Sequence, residues 1–140
     1  MGLTISGNYK NSIELSGGYG MFSQIRKVIA LAFDKEFGEH YLTLSILSGK
    51  DDYKEFNRKA NEILRDERFK EEDSDILDFL FMSDCDGKIG YKTCKKIYEL
   101  IKDDNKECCL RYAAYSDNDW QDFKQLLKDC YSHRCNLVWY

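Results

Sequence analysis

The sequence predicts an α+β fold in which a small antiparallel sheet, formed by an N-terminal hairpin and a C-terminal strand, packs with four to six helices. Three observations carry this prediction. Alternating apolar residues flank a turn-forming run at the start of the chain, helical apolar repeats occupy its middle, and a β-prone segment closes it. The 140 residues, 43% of them hydrophobic, suffice for a single globular domain over residues 1–140 with a buried core.

The first two strands are predicted at residues 3–6 and 11–15, because the four residues between them have turn chemistry. A glycine-rich run then breaks the second strand. A helix follows over residues 21–37, where the apolar side chains repeat at helical spacing on one face. We expect Gly38 to end this helix at the C′ position, where glycine is the preferred residue.

The middle of the chain contains one ambiguous segment and two clear helices. Residues 39–47 alternate as a strand does, although a continued helix is the alternative for a segment so rich in leucine. Helices are predicted over residues 51–68 and over residues 76–82, the second capped by Ser74 or Asp75. The second helix is apolar nearly all round, so it should lie centrally in the fold.

The last part of the chain is predicted to hold two helices and a strand. One helix covers residues 91–103, residues 106–115 admit a further short helix, and Ser116 or Asp117 caps a helix over residues 118–132. Residues 136–140 are β-prone. We expect them to pair with the N-terminal strands, because a free apolar terminus would expose an aggregation-prone edge.

The most sharply marked local feature is the run Ser83-Asp84-Cys85-Asp86-Gly87-Lys88-Ile89-Gly90. We predict a rigid structural loop built from Ser83, Asp84, Asp86 and Gly87. The carboxylates can accept hydrogen bonds from nearby amides, and glycine can adopt a positive φ. The spacing copies the middle of a calcium-binding loop, but the first and twelfth ligand places fall on Met82 and Thr93. We therefore expect no tight calcium binding, and a weak metal-binding module is the second alternative function.

The six cysteines are Cys85, Cys94, Cys108, Cys109, Cys130 and Cys135. We expect them to be reduced and free of metal, because no export signal precedes them and no C-x2-C knuckle is present. A zinc site built from Cys130, His133, Cys135 and the Cys108-Cys109 pair is the alternative. The sequence predicts no cofactor.

Charge and hydropathy exclude two classes of partner. The net charge is −4 with both signs interspersed, which indicates no nucleic-acid-binding surface. The chain has no apolar run of 18 residues, and its start lacks a secretory signal. We therefore expect a cytoplasmic protein that binds neither nucleic acid nor membrane.

The run at residues 83–89, followed by a helix with Cys94, resembles a Ser-Asp-Cys-Asp-Gly signature in small proteins of Gram-positive bacteria and their phages. Those proteins also carry a Ser/Tyr-rich stretch that leads into a Phe-x-x-x-Arg helix, matched here by Ser16, Tyr19, Phe22 and Arg26. The resemblance covers residues 75–101 most closely and the N-terminal third loosely. It departs at Met82, where a His is common, and at Gly90, where a Ser or Thr is usual. It implies a phage or mobile-element source.

The best candidate ligand site lies where the glycine-rich run meets the first helix: Ser16, Gly17, Gly18, Tyr19, Gly20, Phe22 and Arg26. Backbone amides at a helix N-terminus, with glycines that permit close approach, suit a phosphate or another anion. Tyr19 or Phe22 would stack on a base, and Arg26 would supply charge. A simple strand-to-helix connection is the alternative interpretation.

No catalytic motif is evident in the sequence. The two histidines, His40 and His133, lie near no nucleophile motif, and no Walker or dinucleotide-binding fingerprint is present. Asp84 and Asp86 are a pair of carboxylates of the kind that performs acid–base work, but a role in a turn accounts for both residues. We expect a non-enzymatic binding protein that occupies a host protein, as an anti-defence inhibitor does. The alternative is sequestration or sensing of a small phosphorylated or nucleotide ligand.

Overall fold

The computed structural model describes residues 2–83, 85–103 and 107–140, and the side chains of residues 107–117 lie outside that description. Within these ranges, six α-helices and a four-stranded antiparallel sheet confirm the α+β class. The strands are β1 Gly2–Gly7, β2 Glu14–Gly18, β3 Gly87–Ile89 and β4 Leu137–Trp139. The α-helices are α1 Tyr19–Phe33, α2 Lys35–Tyr41, α3 Lys50–Leu64, α4 Ser74–Phe81, α5 Tyr91–Ile101 and α6 Glu107–His133. Two short 3-10 helices cover Leu42–Ile46 and Glu71–Asp73.

The strands are arranged in the order β2-β1-β4-β3, and every neighbouring pair is antiparallel. Ile5 lies opposite Leu15 on one side and opposite Trp139 on the other. The C-terminal strand therefore pairs with the N-terminal hairpin, as predicted, and occupies an inner position of the sheet. The second strand lies further along the chain than predicted, because Ser16 and Gly17 still pair with β1. The expected glycine-rich break at this point is wrong, since β2 leads directly into α1.

The helix predicted over residues 21–37 is confirmed for residues 21–33, but the chain turns at Asp34 and a second helix follows. Asp34 has extended backbone angles (φ −160°, ψ 129°), and its carboxylate accepts a hydrogen bond of 2.9 Å from the Phe37 amide. It is therefore the N-cap of α2. Gly38 lies inside α2 and does not end a helix. A Cβ atom there would lie 2.5 Å from the Leu31 Cα, so glycine allows α1 and α2 to approach closely.

The strand predicted over residues 39–47 is wrong, and the helical alternative is correct. Residues 39–46 form the end of α2 and the first 3-10 helix, and Leu47 follows them with extended backbone angles. Tyr41 is buried, and its hydroxyl donates a hydrogen bond of 2.7 Å to the Leu80 carbonyl, which fixes this helical corner against α4. Ile46 is 77% exposed, so the alternating apolar residues line no sheet face.

Two predicted helix ends in the remaining chain also differ from the structure. The helix α3 ends four residues earlier than predicted, at Leu64, and the Asp66 carboxylate accepts the Arg68 amide in the turn that follows. The cap predicted at Ser116 or Asp117 is wrong, because α6 runs without interruption through both residues. A local N-capping signal starts no new helix where the helical backbone continues through it, and α6 as a whole is stabilised by packing against α5.

The run at residues 83–90 contains the edge strand β3 and is therefore not a loop throughout. Asp84 lies outside the described residues. Ser83 makes the turn contacts: its hydroxyl accepts the Cys85 amide at 3.2 Å, and its carbonyl accepts the Trp139 indole N–H at 2.8 Å. The expected positive φ at Gly87 is wrong. Glycine is needed there because a Cβ atom would lie 2.5 Å from Cε2 of Trp139.

The core lies between the inner face of the sheet and helices α1, α4, α5 and α6. At its centre Phe22 lies 5.2 Å from Trp139 and 5.9 Å from Phe79, measured between ring centroids. All three side chains are fully buried. None of the described helices is long and apolar enough to cross a lipid bilayer.

Candidate functional site

A cleft of about 1000 Å³ is lined by α5 and by the segment of residues 68–73. Its apolar lining comes from five separate parts of the chain: Phe33, Phe69, Ile76, Tyr91, Leu100 and Tyr131. Phe33 and Phe69 contact each other, with ring centroids 5.7 Å apart. The volume lies at the upper end of the range for ligand sites, about 300–1000 Å³. The cleft therefore has the size and the apolar surface of a binding site.

The α5 side of the cleft carries three lysines and one carboxylate, that of Glu99, which pairs with Lys102. The helix places Lys95 and Lys96 three and four residues after Lys92, so the three side chains are neighbours on its surface, and all of them line the cleft. The Lys96 ammonium is 3.0 Å from the Asp75 carboxylate and donates a hydrogen bond to the Glu72 carbonyl, so its charge is partly compensated. Lys92 and Lys95 are exposed, and the first turn of α5 contains no acidic residue. These two lysines therefore leave positive charge at the rim of the cleft.

The opposite side of the cleft is held by an ion-pair network around Arg68. Its guanidinium is 2.9 Å from the Asp34 carboxylate and 3.1 Å from that of Asp66, and it also pairs with Glu36. Burial alone would raise the pKa of Asp34, but hydrogen bonds from Arg68 and from the Phe37 amide hold this pKa below its ordinary value. Arg68 thus fastens the segment 65–73 to the corner between α1 and α2. Its charge is already neutralised and is not offered to a ligand.

The structure divides the predicted ligand site into two parts. Tyr19, Phe22 and Arg26 line one small pocket of about 190 Å³, together with residues from the 41–45 corner. Ser16 and Gly17 lie in β2 and Gly18 is the last residue of that strand, so their backbone belongs to the sheet and not to the pocket. Gly20 lies in the first turn of α1 and faces open space.

Arg26 is buried beneath this small pocket. Its guanidinium carbon lies 4.4 Å from the Phe22 ring centroid, and Nη2 donates a hydrogen bond of 3.4 Å to the Ser83 carbonyl. This cation–π contact covers the Phe22 ring, which is itself fully buried. Tyr19, which is half-buried, is therefore the predicted stacking residue that reaches the pocket surface.

Tyr41 lines the same pocket and gives the protein a pH-dependent stability at alkaline pH. Burial raises the pKa of Tyr41 from 10.0 to about 12, against the opposing effect of the Arg26 charge. The folded protein therefore keeps this proton where the unfolded chain loses it. Its contribution is complete below pH 10 and is lost as the pH rises to about 12, which amounts to roughly 3 kcal/mol.

We expect the free energy of unfolding, measured with urea, to fall more steeply between about pH 10 and about pH 12 in the native sequence than in Tyr41→Phe. The variant should be about 1 kcal/mol less stable at neutral pH, because the Leu80 carbonyl loses its donor. Equal alkaline slopes in the two proteins would contradict the assignment.

The two buried cysteines and both histidines make structural contacts. The Cys94 and Cys130 thiols are buried together, and the hydrogen bond between them and burial raise the pKa of Cys94, which therefore stays protonated. His133 stacks on Tyr9 with ring centroids 4.4 Å apart, and His40 stacks on Phe56. No three His, Cys, Asp or Glu side chains in the described ranges are grouped as metal ligands. The Cys108 and Cys109 side chains of the alternative zinc site lie outside these ranges.

Sequence reasoning did not find the cleft on α5. The spacing of Tyr91 and the three lysines on one predicted helix is the signal from which the α5 side of the cleft could have been predicted. The floor of the cleft includes Phe69 and Tyr131, which come from segments far apart in the chain. No local pattern connects them.

Comparison of the chain with protein-family models, with curated protein sequences and with solved structures finds no match. The resemblance to small phage proteins therefore stays a prediction.

Proposed function

We propose that this protein is a binding protein that takes an acidic segment of a partner protein into the cleft along α5. The observation that carries this proposal is the combination, in one cleft, of an aromatic floor with two exposed lysines at the rim. The floor offers apolar surface to anchor side chains, and Lys92 and Lys95 favour carboxylates beside those anchors. Interfaces take most of their affinity from such anchors and their selectivity from charge complementarity.

A protein segment fits the cleft better than a small ligand does. The volume of about 1000 Å³ is about five times that of the pocket at Arg26. Its apolar floor includes the half-buried side chains of Phe33, Phe69, Leu100 and Tyr131. A chain segment with several apolar side chains would cover this surface. That the partner is a host protein stays a prediction from the resemblance.

Selection from a bead-displayed library of random 12-residue peptides tests the proposal. We expect the peptides that bind the immobilised protein to combine aromatic or aliphatic residues with Asp and Glu. Binding should weaken about 10- to 100-fold in the double variant Lys92→Glu/Lys95→Glu, because two rim charges change sign. Backbone amide shifts on peptide binding should map to α5 and to residues 68–73.

The matched control is Lys54→Glu/Lys59→Glu, which makes the same change of net charge on the exposed side of α3. It should leave the affinity for the selected peptides within about twofold of the native value, since rim steering is a local effect. Selected peptides without acidic residues, or peptides that bind both double variants equally well, would argue against the cleft as the docking site.

A further inference from the structure

The polar lining of the small pocket beside Arg26 consists of cations and hydroxyl groups. Among the described residues, those that line its 190 Å³ include two cations and four hydroxyl groups but no carboxylate: Arg26, Lys27, Tyr19, Ser23, Tyr41 and Ser45. Phe22 and Leu44 complete the wall. The cleft on α5, by contrast, mixes both signs of charge. A pocket with only cations and hydroxyl groups as its polar lining is chemically selective for an anion.

We propose that this pocket binds a phosphate group. Arg26 is only 7% exposed, so its charge acts in a surrounding of low dielectric constant, where attraction to an anion is stronger than at the surface. Its guanidinium is held in place by the Phe22 ring and the Ser83 carbonyl, which spares a ligand the cost of ordering it. Lys27 is half-buried and adds a second positive charge one residue along α1.

The size of the pocket selects a phosphate group over a whole nucleotide. Its volume of about 190 Å³ is below the range of about 300–1000 Å³ that drug-sized ligands occupy. Phe22 is covered by the Arg26 guanidinium and offers no face to a base. The ligand is therefore inorganic phosphate, or a phosphate monoester whose remaining part stays outside the pocket next to Tyr19.

This site is independent of the partner-binding cleft. No described residue lines both, and the elements involved are α1 and the 41–45 corner in one case, and α5 with residues 68–73 in the other. A failure of one proposal leaves the other in place.

The test is a titration of the ¹⁵N-labelled protein with inorganic phosphate and, separately, with O-phosphoserine, at an ionic strength kept constant with chloride. We expect saturable shifts at the amides of Tyr19, Ser23 and Ser45, with a dissociation constant of about 1 mM or lower for at least one of the two probes. Binding of inorganic phosphate would identify a free-phosphate site. Binding of O-phosphoserine alone would identify the phosphate of a larger molecule, and either result supports the proposal.

Two variants at the pocket rim separate specific binding from general attraction to a charged surface. Lys27→Gln removes one cation and Ser45→Asp adds a carboxylate, and each should weaken binding about fivefold or more. Both residues are at least partly exposed, so the fold should tolerate the changes. Arg26 is left in place because it also supports the Ser83 turn.

The double variant Lys92→Glu/Lys95→Glu, which changes only the other cleft, should keep the native affinity for both probes. The proposal is overturned by shifts that stay linear with concentration. Shifts that are equal in Lys27→Gln and the native protein, or that centre on α5, would also overturn it.

Discussion

Removal of residues 137–140 is expected to leave the chain unfolded at 25 °C. The strand β4 lies between β1 and β3, so its loss opens two ladders at once and detaches β3 from the sheet. Leu137 and Trp139 are both fully buried. Truncation of such residues costs about 2–5 kcal/mol for a leucine and about 3–5 kcal/mol for a tryptophan, and domains are stable by only about 5–15 kcal/mol.

Trp139 accounts for much of this effect. Its ring contacts Phe22 and Phe79, and its indole N–H donates to the Ser83 carbonyl at 2.8 Å. Trp139→Ala keeps the backbone of β4 and should therefore lose about 3–5 kcal/mol without complete unfolding. Circular dichroism and urea titration would rank the truncated chain, Trp139→Ala and the native protein in that order of increasing stability.

Tyr140→Ala provides the control for this series. The Tyr140 side chain is 60% exposed, while its amide and carbonyl pair with Thr4, and the substitution keeps those backbone bonds. We expect its stability to lie within about 0.5 kcal/mol of the native value. A truncated chain that melts at the temperature of the full chain would show that β4 contributes nothing to the fold.

Gly38→Ala is expected to destabilise the protein by about 2 kcal/mol or more. The new Cβ atom would lie 2.5 Å from the Leu31 Cα and 2.7 Å from its nitrogen, so the backbones of α1 and α2 must move apart. Overpacking of this kind costs about 1–3 kcal/mol and occasionally more, and the higher helix propensity of alanine offsets only about 1 kcal/mol of it.

Gly20→Ala is the matched control, because it makes the same chemical change in a helix at a position with open space. It should leave the stability unchanged or raise it by about 0.5 kcal/mol. Urea denaturation of both variants measures the difference directly. If the two alanine variants are equally stable, the close approach of α1 and α2 at Gly38 is not a constraint on the fold.

The contact at Gly38 matters for both candidate sites. The corner that it allows between α1 and α2 places Asp34 against Arg68 beside the cleft on α5. The same corner carries Tyr41 into the pocket of Arg26. A mild shift at Gly38 should therefore change ligand binding at both places before the protein unfolds.

The sequence by itself determined the features that depend on neighbours in the chain. The hairpin, the closing strand and the helices around Ile76 and Ile97 follow from apolar periodicity, which is a local property of the side chains. The meeting of Tyr19, Phe22 and Arg26 at one pocket was predictable for the same reason. These residues are three and four positions apart at the start of a single helix, so they share a face.

Only the tertiary structure decided the features that depend on distant partners. Residues 39–47 alternate like a strand, yet residues 39–46 are helical, because Tyr41 finds its hydrogen-bond acceptor in α4. The three residues of β3 are a strand only because β4, some fifty residues later, offers them an open edge. Phe69 and Tyr131 form one cleft with α5 for the same reason, since packing in three dimensions, and not spacing along the chain, brings apolar surfaces together.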